Sequence, residues 1–111
     1  MDKPDVNKKF CKKLYKTLRR EKGIGKKNAI TTYKLAKLMD IEITNTNERI
    51  RFAMKRLRCE FEKPVVSCSK GMYIARNREE VLEYKEDLNV RMLGLEKNIR
   101  ALDKILEARR K

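Results

Sequence analysis

The sequence predicts a mainly α-helical fold that carries one β-hairpin and ends in a long helix. Three observations lead there. Apolar residues recur at helical spacing in four stretches of the 111-residue chain. Only residues 65–76 place β-branched residues around a short glycine-containing turn. Apolar and charged residues each make up 41%, a mixture that suits amphipathic helices better than buried parallel strands. The length points to one domain with a single core.

The first helix is predicted from about Asp5 to Lys22. Val6, Phe10, Leu14 and Leu18 make an apolar stripe, widened by Cys11 and Tyr15, while lysines fill the other faces. Pro4 suits the first turn, and Gly23 and Gly25 suit the end. Lys26-Lys27-Asn28 then reads as a basic loop. A short second helix follows, capped by Thr31 or Thr32, with Leu35, Ala36, Leu38 and Met39 on its apolar side. Asp40 ends it, and residues 41–44 read as a turn or short loop.

The third helix is expected to start near Asn45, which forms a capping-box-like pair with Glu48. Ile50, Met54, Leu57 and Phe61 give its buried stripe. Next, residues 65–69 and 72–76 read as paired strands around Lys70-Gly71. Asn77 caps the final helix, with Glu80 at the capping-box position. Within it, Leu88, Met92, Leu95, Ile99, Leu102 and Leu106 alternate spacings of 4 and 3, an a/d seam of almost three heptads. Gly94 interrupts the helix at some cost in propensity.

The charge narrows the functional classes. Lys and Arg number 30 against 16 Asp and Glu, a net charge of +14 without histidine. Residues 1–76 carry +13 of it and residues 77–111 only +1. A solubility charge would spread evenly. This division suits a polyanionic partner for the first part and a neutral protein contact for the last. Without histidine, without a nucleophile beside a base and without a clustered carboxylate pair, no catalytic residue is assigned and no enzyme is expected. No metal or cofactor is expected either, since the three cysteines form no CxxC pair. Gly23-Ile24-Gly25-Lys26 lacks the length and the Ser/Thr of a Walker motif. Free thiols suit a reducing cytoplasm. The N-terminus lacks the apolar run of a signal peptide, and no stretch is apolar enough to span a bilayer. A cytoplasmic or nucleoid-associated protein is the expectation.

The element order, with Ile30 to Met39 as a supporting helix, Thr46 to Glu60 as a basic helix and Pro64 to Ala75 as a hairpin, resembles the winged helix-turn-helix family. The hairpin followed by a Glu-rich helix is most similar to small phage and prophage regulators. The resemblance covers residues 30 to 85 well and the first helix loosely. It divides the chain into a basic helix and loop (1–29), the helix-turn-helix and wing (30–76) and a C-terminal dimerisation helix (77–111). It implies double-stranded DNA as partner, with residues 46–60 lying in the major groove. The sequence departs from the common pattern at one point: Asp40 stands where a glycine usually opens the turn, and the turn is several residues longer.

The faces of that recognition helix follow from ~100° per residue. With Ile50 at the buried centre, Glu48, Phe52, Lys55 and Cys59 lie opposite. Arg51 and Arg56 flank them, and Arg49 lies further round. Arg and Lys can read guanine in the major groove, and Asn can read adenine. The DNA-binding candidates are therefore Thr46, Asn47, Arg49, Arg51, Lys55 and Arg56, with Asn47, Arg51 and Lys55 expected to contact bases. Thr32 and Lys34 at the second helix, and Ser69 and Lys70 at the wing, are candidate phosphate contacts. Phe52 either touches thymine methyl groups or packs on a neighbouring element, and packing is the favoured expectation. The seam Leu88, Met92, Leu95, Ile99, Leu102 and Leu106 is too long for a small core to cover, so a homodimer through the final helix is expected. Two rival functions stay open: an architectural protein with little sequence preference, and a protein-interaction module or inhibitor on the same scaffold.

Overall fold

The computed structural model describes residues 6–42 and 47–110. Its order is α1 (Lys8–Arg20), a single 3₁₀ turn (Lys26–Asn28), α2 (Thr32–Leu38), α3 (Glu48–Cys59), β1 (Val65–Cys68), β2 (Gly71–Ile74) and α4 (Arg78–Arg109). The fold is mainly α with an antiparallel hairpin and a long C-terminal helix, in the helix–helix–helix–wing–helix order of a winged helix-turn-helix. One compact unit runs to Val81, and the rest of α4, from Leu82, forms a second.

The core of the first unit joins one face of each element. Phe10, Cys11, Leu14 and Leu18 of α1 meet Leu35 and Ala36 of α2, Met39, and Ile50, Ala53, Met54 and Leu57 of α3. Ile30 and the hairpin residues Val65, Met72 and Ile74 complete it. Burying an aliphatic side chain of this kind contributes about 1.5–3 kcal/mol, so these stripes fix how the three helices pack.

Caps set the helix limits. α1 starts later than the predicted Asp5, because Asn7 Oδ1 accepts from the Phe10 N–H at 2.8 Å. It ends two residues before Lys22. The Gly23 N–H donates to the Leu18 carbonyl at 2.8 Å and the Lys22 N–H to that of Arg19 at 3.1 Å. That Schellman arrangement puts Lys22 itself in the left-handed region, at φ 57°. α2 ends the same way. The Ile41 N–H donates to Ala36 and the Asp40 N–H to Lys37, with Asp40 at φ 55°. Thus Asp40 occupies a conformation glycine adopts without strain. α3 begins at Glu48 rather than near Asn45, with Asn47 as the residue before it. Asn45 lies outside the described residues.

The hairpin differs from prediction by one residue. Cys68 pairs with Gly71, so the turn is Ser69-Lys70 rather than Lys70-Gly71. The reason is a third strand-like segment. Ile30 exchanges backbone hydrogen bonds with Met72 at 2.8 and 2.9 Å. A Cβ on Gly71, at φ +137°, would stand 2.3 Å from the Ile30 carbonyl oxygen. Gly71 is there for this close approach, not for the turn. On the far side of the 3₁₀ turn, the Gly25 N–H donates to the Ile74 carbonyl and the Ile74 N–H to that of Gly23, both at 2.8 Å. The predicted basic loop is therefore strapped to β2 at both ends, which satisfies the edge of a two-stranded hairpin.

Asn77 caps α4 as expected, its Oδ1 accepting from the Glu80 N–H at 3.0 Å. Glu80 does not close the usual box. Its carboxylate accepts from the Arg76 N–H at 2.6 Å and from the Lys26 N–H at 2.8 Å. It clips the 3₁₀ turn to the start of α4. These two donors, Arg76 first, hold its pKa below the ordinary glutamate value.

Candidate nucleic-acid interface

Packing sorts the side chains of α3 into four strips. Ile50, Ala53, Met54 and Leu57 face inward and are buried. On the flank toward α1, the Arg49 guanidinium lies 4.3 Å over the Phe10 ring. Arg56 is more firmly held there: Nη1 donates to the Val6 carbonyl at 2.7 Å, the head pairs with Glu60, and its plane covers Phe61. On the flank toward the hairpin, Arg58 Nε donates to the Val65 carbonyl at 2.9 Å. The outer strip holds Glu48, Phe52, Lys55 and Cys59, all exposed, with exposed Arg51 beside it. Neither Arg51 nor Lys55 has an ion pair or side-chain hydrogen bond among the described residues.

The expectation for Phe52 is corrected here. Among the described residues it joins neither the core nor any aromatic contact, and it stays 42% exposed. The packing role goes to two other rings. Phe10 and Phe61 lie on the α1 side and take up the arginines that α3 sends there.

The start of α2 comes beside the wing. Thr31 caps α2, accepting from the Lys34 N–H at 3.2 Å. Thr32 is thereby released from capping, and its Oγ1 accepts from Asn47 Nδ2 at 2.7 Å. Thr31 and Thr32 line one crevice with Ser67, Ser69, Lys70 and Gly71. Thr32, Asn47, Ser69 and Lys70 are thus gathered at one edge of the fold, and Lys34 is exposed on α2. Arg51 and Lys55 are open on α3. Arg49 instead fastens α3 to α1 and Arg56 ties it to the segment just before α1, and Thr46 lies outside the described residues. Of the α1 lysines, Lys13 serves structure, its Nζ donating to the Met39 carbonyl at the end of α2 at 2.8 Å.

No protein-family model matches the chain, and no curated protein or solved structure does. What the arrangement can do rests on its own chemistry.

A second basic notch has no counterpart in the sequence pattern. Lys26, Lys27 and Asn28 of the 3₁₀ turn line it with Ser69, Lys70, Arg76 and Glu80. Its pieces are separated by about 40 residues and meet only because residues 23–30 pair with β2. The signal available was Ile24 and Ile30 flanking a turn, too short to read as a strand.

Among the described residues no three cysteine, aspartate or glutamate side chains come together as metal ligands. The cysteines are free: Cys11 is buried, and that burial pushes its thiol pKa up, while Cys59 is exposed. No helix among the described residues is long and apolar enough to cross a membrane.

In the second unit, the seam Leu88, Met92, Leu95, Ile99, Leu102 and Leu106 is 39–64% exposed along its whole length. At ~100° per residue the six side chains fall within a strip about 80° wide. Off the seam, Glu96 pairs with Arg100 at 2.8 Å, one turn along the helix.

Proposed function

We propose that this chain is a sequence-specific double-stranded DNA-binding protein of winged helix-turn-helix type, a transcriptional regulator acting as a dimer through α4. One observation carries the reading: the outer strip of α3 is open to solvent and presents Arg51 and Lys55, without partners among the described residues. A bare helix with a cationic front fits the major groove, where each cation can hydrogen-bond guanine N7 and O6. Thr32, Lys34, Ser69 and Lys70 supply phosphate contacts that fix register. Asn47 acts first as a positioning residue, because its amide holds α3 to Thr32.

The exposed seam of α4 supports the dimer. A seam of six large apolar residues is stabilised by a second copy of itself. A twofold pair sets two recognition helices on one duplex, a helical turn or a multiple apart. A location in the cytoplasm or at the nucleoid follows from that partner.

A second reading has its own support. Exposed Lys9, Lys12, Lys16 and Arg20 extend the positive surface along α1, as an architectural DNA-coating protein would use it. Selection of bound sequences from a random duplex pool tests both readings. An enriched motif with two half-sites supports the regulator. A bound pool without enrichment supports the architectural reading, and no bound DNA at low salt rejects both. Leu95→Glu with Leu102→Glu should yield monomers in sedimentation and collapse the motif to one half-site.

A further inference from the structure

We propose that Phe52 reads thymine: in the complex with DNA inferred above, on which this inference rests, its ring packs against the C5-methyl group of one thymine in each half-site. Phe52 lies about 200° around α3 from Ile50, at the centre of the face turned from the core. Phe10 and Tyr73 in the same unit are 8% and 2% exposed, whereas Phe52 is 42% exposed. The other exposed ring, Tyr33, carries a hydroxyl for water and has the Lys37 ammonium 5.5 Å from its centroid. Phe52 has no polar atom with which to meet solvent, and an apolar partner would take the exposed part of its ring out of water.

Its neighbours identify the partner. Arg51 precedes it in the chain, and Lys55 stands one turn on. Glu48 lies one turn before it on the same strip, and between Arg51 and Lys55 the ring is matched by a polyanion that offers a small apolar group inside its charged envelope. Along the base edges of the major groove, that group is the thymine methyl. Phe52 also sits in the first half of α3, about one turn beyond Asn47, and the N-terminal half of a recognition helix is the part that meets bases. Removing one methyl from such a contact weakens binding roughly fourfold, the equivalent of one buried carbon.

The test uses the full chain and a duplex recovered by selection. Each thymine is replaced in turn by deoxyuridine, which keeps the O4 acceptor and lacks only the methyl. We expect one position per half-site at which the wild-type protein loses about fourfold. At that position Phe52→Ala should bind thymine and uracil duplexes alike, while Phe52→Leu should keep part of the preference. Since the ring is exposed, both variants should retain the wild-type helical circular dichroism. Wild-type binding that ignores uracil at every position overturns the inference and leaves the DNA-binding reading intact. So does discrimination that survives in Phe52→Ala, because the methyl is then read by another group. Absence of duplex binding by the wild type overturns both.

Discussion

The carboxamide of Asn47 donates to Oγ1 of Thr32 at 2.7 Å, so the residue that opens α3 is fastened to the first residue of α2. The bond sets where the N-terminal end of α3 stands relative to the supporting helix. Asn47 also holds φ at 49°, a left-handed value that Asn tolerates better than most residues. Two variants separate these roles. Asn47→Gly keeps the backbone at ease and deletes the bond. Asn47→Ala deletes the bond and adds backbone strain. Asn47→Gly should lose about 1 kcal/mol and Asn47→Ala about 1 kcal/mol more, read by urea denaturation. Thr32→Val should cost nothing further in the Asn47→Gly background.

Asp40 and Lys22 end α2 and α1 with positive φ values of 55° and 57°. Glycine enters that conformation without a Cβ clash. Asp40→Gly and Lys22→Gly should each stabilise the fold by about 0.5–1 kcal/mol. A lowered or unchanged thermal midpoint in Asp40→Gly would show that the aspartate has a bond worth more than the strain.

Gly71→Ala and Gly94→Ala should move in opposite directions. A Cβ at Gly71 would stand 2.3 Å from the Ile30 carbonyl oxygen, so the strap over residues 23–30 must part from β2. A loss of at least ~2 kcal/mol is expected in chemical denaturation. A Cβ at Gly94 meets nothing within 4 Å, and the change should raise helix stability by about 1 kcal/mol.

These cases show what could be read from the sequence. The stripes of α1 and α3 and the seam of α4 are local periodicities, and their helices lie over those stripes, with the ends of α1 and the start of α3 moved inward by two or three residues. The hairpin was legible too, but its turn was misplaced by a residue. A glycine in a turn-like setting looks the same whether it makes the turn or admits a distant backbone. Ile30, the backbone in question, is 41 residues away. The pairing of residues 23–30 with β2 is equally non-local, and its one trace, Ile24 and Ile30 on either side of a turn, is too short to read as a strand. The candidate site shows the same division. Which residues face outward on α3 followed from angles about its axis. That Arg49 and Arg56 turn to Phe10 and the Val6 carbonyl depended on where α1 lies, and no spacing within α3 records that.

Glu80 makes stability depend on pH. Its folded-state pKa lies below the ordinary value, chiefly through the Arg76 N–H and next through that of Lys26. A carboxylate depressed in this way contributes fully above its unfolded pKa of about 4.3 and loses that contribution as pH falls through the folded value. Glu80→Gln should be less stable than wild type at pH 7, by a margin that solvent screening holds to at most about 1 kcal/mol. The gap should close as pH falls below the unfolded value and on through the lower folded one, because protonation removes the same charge. A gap that stays constant over that range would mean the carboxylate acts through shape rather than charge.

The outer strip of α3 is tested most directly by fluorescence anisotropy of a selected duplex across a range of salt. Wild-type protein should bind tightly at low salt, with log affinity falling by ~0.9 per phosphate neutralised for each decade of salt. Arg51→Ala should cost on the order of 1–3 kcal/mol and relax the preference at one base pair, with the salt slope nearly kept. Lys70→Ala should weaken every sequence alike and lower the slope by about one. Folded wild-type protein that leaves duplexes unbound at low salt, or an Arg51→Ala/Lys55→Ala variant that binds the selected site as tightly as wild type, would contradict the account.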